Sequence, residues 1–370
     1  MPAPAIARKA RGGDSRTMAL KTRATKFLGA RLTLISFVIL LVSSLPAAAE
    51  DRLLLRISVE NVPSHFQAQM VRRFSELVAE RSKGSLVVEF YDGAKLYRDA
   101  DVVTAIARGD VEMAVPGIWQ FDRSVPATAA LMLPSTFGRR SETMRALVDG
   151  ALGRAIDARV ESALSCVVIG GWLDLGGVAI FSRTRPLTKA ADFVGLKIRV
   201  AGGRGNEERM RALGAFPVAI PSPDLPSFLD NGLVDALLST WETVASAGLD
   251  AHGLRFAFAD NEYYPFYIPI VNAAFWKKLS GEQRALLADT WSELLPKARE
   301  TAVAAQAGAR DALAKRGLRI ELPDASTIES IRASLMAKED RMAARLGVSA
   351  EMLELLRSQI LLIKSGAPLL

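Results

Sequence analysis

Cysteine is nearly absent: Cys166 is the one thiol in 370 residues. A lone cysteine forms no internal disulfide, so the fold must rest on its core rather than on cross-links. It lies in the run Cys166-Val167-Val168-Ile169, which reads as a buried strand carrying a structural thiol. Histidine is almost as scarce. His65 and His252 stand far apart, and HExxH, CxxC and GxSxG are all missing, so zinc, dithiol and serine-hydrolase chemistry lose the residues they use. A surface or capping role is expected for each histidine. No apolar run reaches the roughly 20 residues needed to span a bilayer, and 27 Gly with 17 Pro are too few for a collagenous or low-complexity chain.

What is present is the composition of a globular protein, with 50% hydrophobic and 24% charged residues and length for two to three domains. The net charge of +7 suggests a nucleic-acid partner until it is located along the chain. Residues 1–49 hold eight basic residues and one acidic residue, so the remainder, with 39 of each, is neutral. No nucleic-acid partner is expected. The basic stretch is followed by the apolar run Leu32 to Leu45 and then by Pro46-Ala47-Ala48-Ala49, the order of a secretory leader cut after Ala49. The leader is long, and Met18 is an alternative start. With no cysteine near the cut to carry a lipid, the mature chain is expected free in a periplasm.

Leu53 to Val59, Leu86 to Tyr91 and Val111 to Val115 read as strands; Ser64 is placed as the cap of a first helix, and Asp101 to Arg108 as a second. This βαβαβ order predicts a mainly parallel sheet with helices on its faces. One helical stretch is predicted over Ser141 to Leu164, then a strand over Cys166 to Trp172. After the break at Gly176-Gly177 a second series begins, with strands at Val178 to Ser182, Leu196 to Val200, Pro217 to Ile220 and Val234 to Leu238. Helices fall between them at Asn206 to Leu213, Pro223 to Asn231 and Glu242 to Leu249. Tyr267 to Ala274 is strand-like, and Ser280 with Gln283 forms a capping box opening a long helix toward Lys315, which Pro296 is expected to kink or split. Leu318 to Leu322 is a late strand, and Ser326 to Leu346 and Ser349 to Ile363 are helices. The expected organisation is lobe I over residues 50–176 with a return over about 264–300, and lobe II over residues 177–263. Helices over about 301–370 are expected to pack across both.

Several motifs then occur in order. Arg81-Ser82-Lys83-Gly84 precedes Val88 to Leu96; Ile106 to Ala114 and Leu133-Pro134 follow; Arg185-Pro186-Leu187 leads into Asp192-Phe193-Val194-Gly195-Leu196-Lys197-Ile198-Arg199-Val200. Leu213-Gly214-Ala215-Phe216-Pro217-Val218 and Leu229-Asp230-Asn231-Gly232-Leu233-Val234-Asp235 complete the series. Over roughly residues 53 to 340 the chain resembles the DctP-like substrate-binding proteins of tripartite ATP-independent periplasmic (TRAP) transporters. The resemblance implies two α/β lobes joined by crossing strands, a ligand in the cleft, and closure on binding.

It also implies that Arg199, the arginine of the G-L-K-I-R motif, contacts a ligand carboxylate, a task that suits the rigid donor fork of a guanidinium. Relatives that bind sialic acid carry a second arginine where Ala179 stands and an asparagine where Ser239 stands, which speaks against sialic acid and against an ordinary C4-dicarboxylate. Aromatic groups stand where ligand loops are expected: Trp119 and Phe121 after one strand and Trp241 after another, with Trp172 and Phe181 near the crossing. Of Tyr263, Tyr264 and Tyr267, Tyr264 is assigned to the ligand. Glu60 and Glu242 are polar contacts to an amine or hydroxyl, or solvated positions. Gly202-Gly203-Arg204-Gly205 has the outline of a phosphate cradle, but Glu208 occupies the third glycine position, so it reads as a flexible turn.

The expected function is a binding module: an extracytoplasmic receptor that captures a small organic acid and delivers it to membrane permease subunits, as a monomer and without cofactor or metal. The alternative is a secreted α/β enzyme using a paired-carboxylate site, for which no set of nucleophile, base and orienting group is visible. A ligand-reporting role beside a sensor kinase has the same sequence signature.

Overall fold

The computed structural model describes residues 52–365; the leader expected over residues 1–49 lies outside the described residues. β1 (Leu53–Ser58), α1 (Phe66–Arg81), β2 (Leu86–Tyr91), α2 (Asp99–Arg108) and β3 (Met113–Ala114) follow in the predicted order. α1 buries Phe66, Met70, Val71, Phe74, Leu77 and Val78, a single apolar stripe. Its cap is His65 rather than Ser64: the ring accepts from the Gln67 N–H, and the Ser64 hydroxyl donates to the Ser246 carbonyl instead.

The predicted helix over Ser141 to Leu164 is two, α3 (Ser141–Asp149) and α4 (Ala151–Leu164), because Gly150 adopts extended backbone between them. The strand expected over Cys166 to Trp172 ends early, as β4 (Cys166–Val168), and a separate strand, β5 (Leu173–Asp174), begins just beyond its expected end. β6 (Ala179–Ser182), β7 (Lys197–Val200), α5 (Arg204–Ala212), β8 (Phe216–Ala219), α6 (Leu225–Asp230), β9 (Ala236–Ser239) and α7 (Trp241–Ser246) then follow. β10 (Phe256–Phe258) has no counterpart in the sequence reading; three residues are too few to show a period. β11 (Phe266–Tyr267), β12 (Ile270–Asn272), α8 (Ala273–Lys278) and α9 (Gly281–Lys315) come next. β13 (Arg319–Glu321), α10 (Ala325–Met336), α11 (Glu339–Leu346) and α12 (Ala350–Ser365) complete the described chain.

The strands form one sheet in the order β2-β1-β3-β12-β4 and another in the order β13-β10-β6-β9-β7-β8. Both are mixed, which corrects the expectation of mainly parallel sheets. β12 runs antiparallel to β3 and β4, and β6 runs antiparallel to β9 and β10. The physical cause is connectivity: a strand that returns from the other lobe enters the sheet from the opposite end. Each sheet with its helices is one lobe of a two-lobed α/β fold. Between the lobes β5 and β11 cross as a two-stranded antiparallel ribbon.

α9 makes a further connection. The Ser280–Gln283 capping box opens it as predicted, but the helix runs unbroken through Pro296 for 35 residues. It packs against α1 in one lobe and α7 in the other, and burial of Trp291, Leu295, Ala298 and Ala302 offsets the roughly 3 kcal/mol a proline costs inside a helix. Where the ribbon meets α9, Gly176 has φ +83 and a Cβ there would lie 2.8 Å from Gln306 Cγ. Only glycine fits both constraints.

Cys166 is buried and its thiol is pushed up to about 12 by burial, as befits a structural residue. Nearby, Asp157 on α4 accepts from Trp172 Nε1 at 2.8 Å, and burial, outweighing that hydrogen bond, lifts its carboxyl to about 7. A carboxyl held above its unfolded value near 4 adds stability only while protonated; the contribution is whole below about pH 4 and is lost as pH rises through the folded value. An amide keeps the acceptor and never ionises. Asp157→Asn therefore raises the melting midpoint at pH 8 by about 2 °C or more, with the gain shrinking to near zero by about pH 4, as thermal melts across that range would read.

Candidate functional site

A pocket lies in the cleft between the lobes, the kind of place where small-molecule sites are found. The first lobe contributes Asn61, after β1, and Trp119, in the turn after β3. The second contributes Arg199 from β7, Asn206 from α5, Ser222, and Leu238, Ser239, Thr240 and Thr243 around the β9–α7 junction. Leu175, Val178, Tyr263, Pro265 and Tyr267 come from the crossing segments. Most of these residues lie at or just beyond strand ends, where α/β sheets collect ligands.

Arg199 is the one Lys, Arg, His, Asp or Glu in this lining. It is 3% exposed. Its Nε donates to the Ile220 carbonyl at 2.9 Å and its Nη2 to Ser222 Oγ at 3.3 Å, which leaves three of the five guanidinium N–H donors free. Burial brings the group down to about 10, with the Glu60 carboxylate pulling the other way, so at neutral pH it carries full charge. Glu60 is itself raised by burial, against the pull of Arg199. Beside it the buried Asp99 lies well above the carboxylate range, through burial first and the Glu60 charge second; its Oδ2 accepts from the Gly117 N–H at 3.3 Å.

Three polar atoms of lining residues are buried without a protein partner: Trp119 Nε1, Asn206 Oδ1 and the Tyr263 hydroxyl. The Trp119 ring is held edge-on to Tyr267 at 5.3 Å, and Tyr267 Oη accepts from Asn61 Nδ2 at 3.0 Å. Asn206 is oriented by donating its Nδ2 to the Gly202 carbonyl at 3.3 Å. The lining thus brings together one cation, two amides and several hydroxyls, with no acid or histidine among them.

Direct bonds close the cleft around this space. Asp122 Oδ2 accepts from Gly205 N–H at 2.8 Å, Arg98 pairs with Asp224 at 2.7 Å, and His65 Nε2 lies 2.8 Å from Glu242 Oε2. The loop over Gly202 to Gly205 is thus no phosphate cradle: its amide is taken by Asp122. Nor is it free as a turn. Gly203 has φ +85, and a Cβ there would approach Trp119 O to 2.6 Å, so this glycine lets the lobes meet.

Of the residues singled out from sequence, Arg199, Trp119 and Ser239 come together in the cleft lining. Glu60 stands behind Arg199, where it acts as a counter-charge rather than as part of the lining. Phe121 is fully buried in the core, because the 3-10 turn that presents Trp119 points Phe121 inward. Trp241 and Tyr264 line a different pocket, beside Asp174, Gly176 and Gln306. Trp241 packs edge-on against Phe181 at 5.0 Å. Among the tyrosines, Tyr263 and Tyr267 line the cleft and Tyr264 does not. In extended chain alternate side chains face opposite ways, so Tyr263, Pro265 and Tyr267 face the cleft and Tyr264 faces away; the period of two counted back from Tyr267 was the signal available. Asn61, Asn206, Thr240 and Thr243 were not picked out at all. Isolated amides and hydroxyls in turns carry no pattern of their own. Glu242 contacts no cleft atom: it accepts from the Phe66 N–H at 3.2 Å.

Comparison with known proteins agrees with this geometry. Residues 57–345 match the bacterial extracellular solute-binding proteins, family 7. The chain is 28% identical over 251 residues to the C4-dicarboxylate-binding periplasmic protein DctP of Rhodobacter capsulatus, covering 68% of this chain and 74% of that one. It is 25% identical over 237 residues to the 2,3-diketo-L-gulonate-binding periplasmic protein YiaO of Escherichia coli, covering 63% and 70%. Among solved structures, a TRAP periplasmic solute-binding protein from Ralstonia eutropha with bound (S)-2-acetolactate superposes with a TM-score of 0.77 at 21% identity, covering 83% of this chain and 98% of that one. Among the described residues no helix is long and apolar enough to cross a membrane. The chain belongs to the family-7 bacterial extracellular solute-binding proteins, and it is an extracytoplasmic solute receptor of the TRAP transporter type, not an enzyme.

Proposed function

We propose that this receptor captures a small organic acid by its carboxylate on Arg199. The observation that carries the reading is the guanidinium itself: buried, charged, with three N–H donors unused and no carboxylate in contact. Leaving a buried charge unpaired is costly, and a ligand carboxylate supplies the missing partner. Trp119 and Ser239 line the same space and contact the bound acid, whereas Trp241, Tyr264 and Phe121 do not. The acid shifts the population toward the closed form, since only there do both lobes reach it. The curated relatives named above are periplasmic binding proteins for organic acids, which supports capture in the periplasm; the receptor then delivers the acid to membrane permease subunits as a monomer freed of residues 1–49. On this reading the lobe boundaries fall at Gly176-Gly177 and in the crossing before β11.

Thermal unfolding of the chain from Glu50 onward against a library of organic acids tests this. A ligand at about a hundred times its dissociation constant adds roughly 2.7 kcal/mol, a shift of several degrees. The shift is expected for at least one acid and is expected to vanish in Arg199→Ala. Arg199→Lys keeps the charge but loses the fork, and is expected to restore only part of it. A parent-like response from Arg199→Ala would sink the carboxylate role.

Glu60 gives a pH signature. When a ligand carboxylate draws on Arg199, Glu60 loses part of its compensating positive charge and binds a proton more readily in the complex. Affinity then falls as pH rises through the Glu60 titration, above the ordinary carboxylate range. Glu60→Gln is expected to tighten acid binding by about three- to tenfold near neutral pH and to flatten this slope. Titration calorimetry in buffers of different ionisation enthalpy reads both, and an unchanged proton uptake in the variant would remove Glu60 from the account.

A further inference from the structure

We infer that the ligand is an aliphatic monocarboxylate bearing a hydroxyl group, and that the cleft rejects dicarboxylates. The inference rests on the receptor reading above and narrows it. It starts from a charge inventory. Arg199 is the only cation in the lining, which contains no lysine or histidine and no second arginine. The charge that acts on it most is the Glu60 carboxylate, of the wrong sign to receive a second anion. A second carboxylate would enter this cavity desolvated and unpaired, and burying an unpaired charge costs far more than burying a hydroxyl that is hydrogen-bonded. The curated relatives include C4-dicarboxylate-binding proteins, so the inference separates this chain from them.

The hydroxyl follows from the three unpartnered atoms. Trp119 Nε1 is a donor only, Asn206 Oδ1 is an acceptor only, and the Tyr263 hydroxyl is either. An oxo group satisfies donors but leaves the Asn206 acceptor unpaired; a methylene satisfies neither. A hydroxyl both accepts and donates, so it is the single ligand group that answers a donor such as Trp119 Nε1 and an acceptor such as Asn206 Oδ1. A site whose buried polar atoms are built to bond a ligand hydroxyl discriminates strongly against the analogue that lacks it, because those atoms are then left unpaired. The residues come from the first lobe, the second lobe and the crossing segment respectively. Leu175, Val178, Ala201, Leu238 and Pro265 supply an apolar wall for the carbon chain.

The test compares butyrate, its hydroxy and oxo derivatives, succinate and malate by titration calorimetry on the chain from Glu50 onward, with Arg199→Ala, Trp119→Phe and Tyr263→Phe alongside. A hydroxybutyrate is expected to bind at least about tenfold more tightly than butyrate, the oxo acid to fall between them, and malate and succinate to bind weakest. Trp119→Phe keeps the ring against Tyr267 and deletes the N–H, so the hydroxy-to-unsubstituted ratio is expected to collapse toward one. Tyr263→Phe narrows that ratio and serves if the Trp119 variant fails to fold. Succinate or malate binding as tightly as hydroxybutyrate, with the same loss in Arg199→Ala, would overturn this inference and leave the organic-acid reading standing. A hydroxyl preference that survives both aromatic variants would overturn the assignment of the polar atoms. Binding of no acid in the panel would overturn both the inference and the carboxylate reading on which it rests.

Discussion

A guanidinium at 3% exposure, solvated by one carbonyl and one hydroxyl and facing a cavity, is the constraint around which the rest of this receptor is arranged. Removing a full charge from water is among the most expensive acts in a protein interior, and the protein offsets it here only in part. Glu60 faces Arg199 without closing an ion pair, and is itself left with a raised pKa. Each favours the other's charged form, but no direct ion pair joins them and neither is quenched. In the proposed function the ligand carboxylate completes what the protein leaves incomplete. On that reading, this is the physical difference between Arg199 and a structural arginine. Elsewhere in this chain arginines are closed off: Arg145 grips Asp174 through two donors, at 2.8 and 3.1 Å, and Arg56 does the same to Glu112 at 2.8 Å from both.

The cleft is sealed by groups that are not part of its lining. His65 caps α1 with Nδ1 and reaches Glu242 and Thr243 with Nε2, while the Glu242 N–H donates to Gln306 Oε1 on α9 at 3.1 Å. One short helix start, Thr240 to Thr243, therefore meets the first lobe, the spanning helix and, through Thr240 and Thr243, the ligand space. On the opposite side Asp122 takes the amide of Gly205, with its carboxyl lifted to about 6 chiefly by burial. Closure thus couples polar groups of two lobes with matched donors and acceptors, which gives the closed form a defined geometry as well as stability.

The elements were legible wherever hydrophobic period and punctuation agreed. β2 over Leu86–Tyr91 and the capping box of α9 were read to the residue, because alternation and an S-x-x-Q signature are local. The divided elements were not. Gly150 between α3 and α4, the early end of β4, and Pro296 inside an unbroken α9 are settled by packing against other segments, and propensity gives way to packing. Mixed sheets escaped for the same reason: strand direction follows from which lobe the chain has just left.

By itself, the sequence determined the α/β alternation, the structural cysteine and, through ordered motifs, the family and the strand that carries Arg199. Each of these is encoded in residues that are neighbours in the chain or in motifs that keep their spacing. Only the tertiary structure decided which neighbours of Arg199 share its space. Tyr263 and Tyr264 are adjacent in sequence and face different cavities; Trp119, Asn206 and Tyr263 are far apart in sequence and converge on one. Facing is a matter of backbone phase and of how two lobes meet, and a difference of one residue in phase turns a side chain from the ligand to the opposite side.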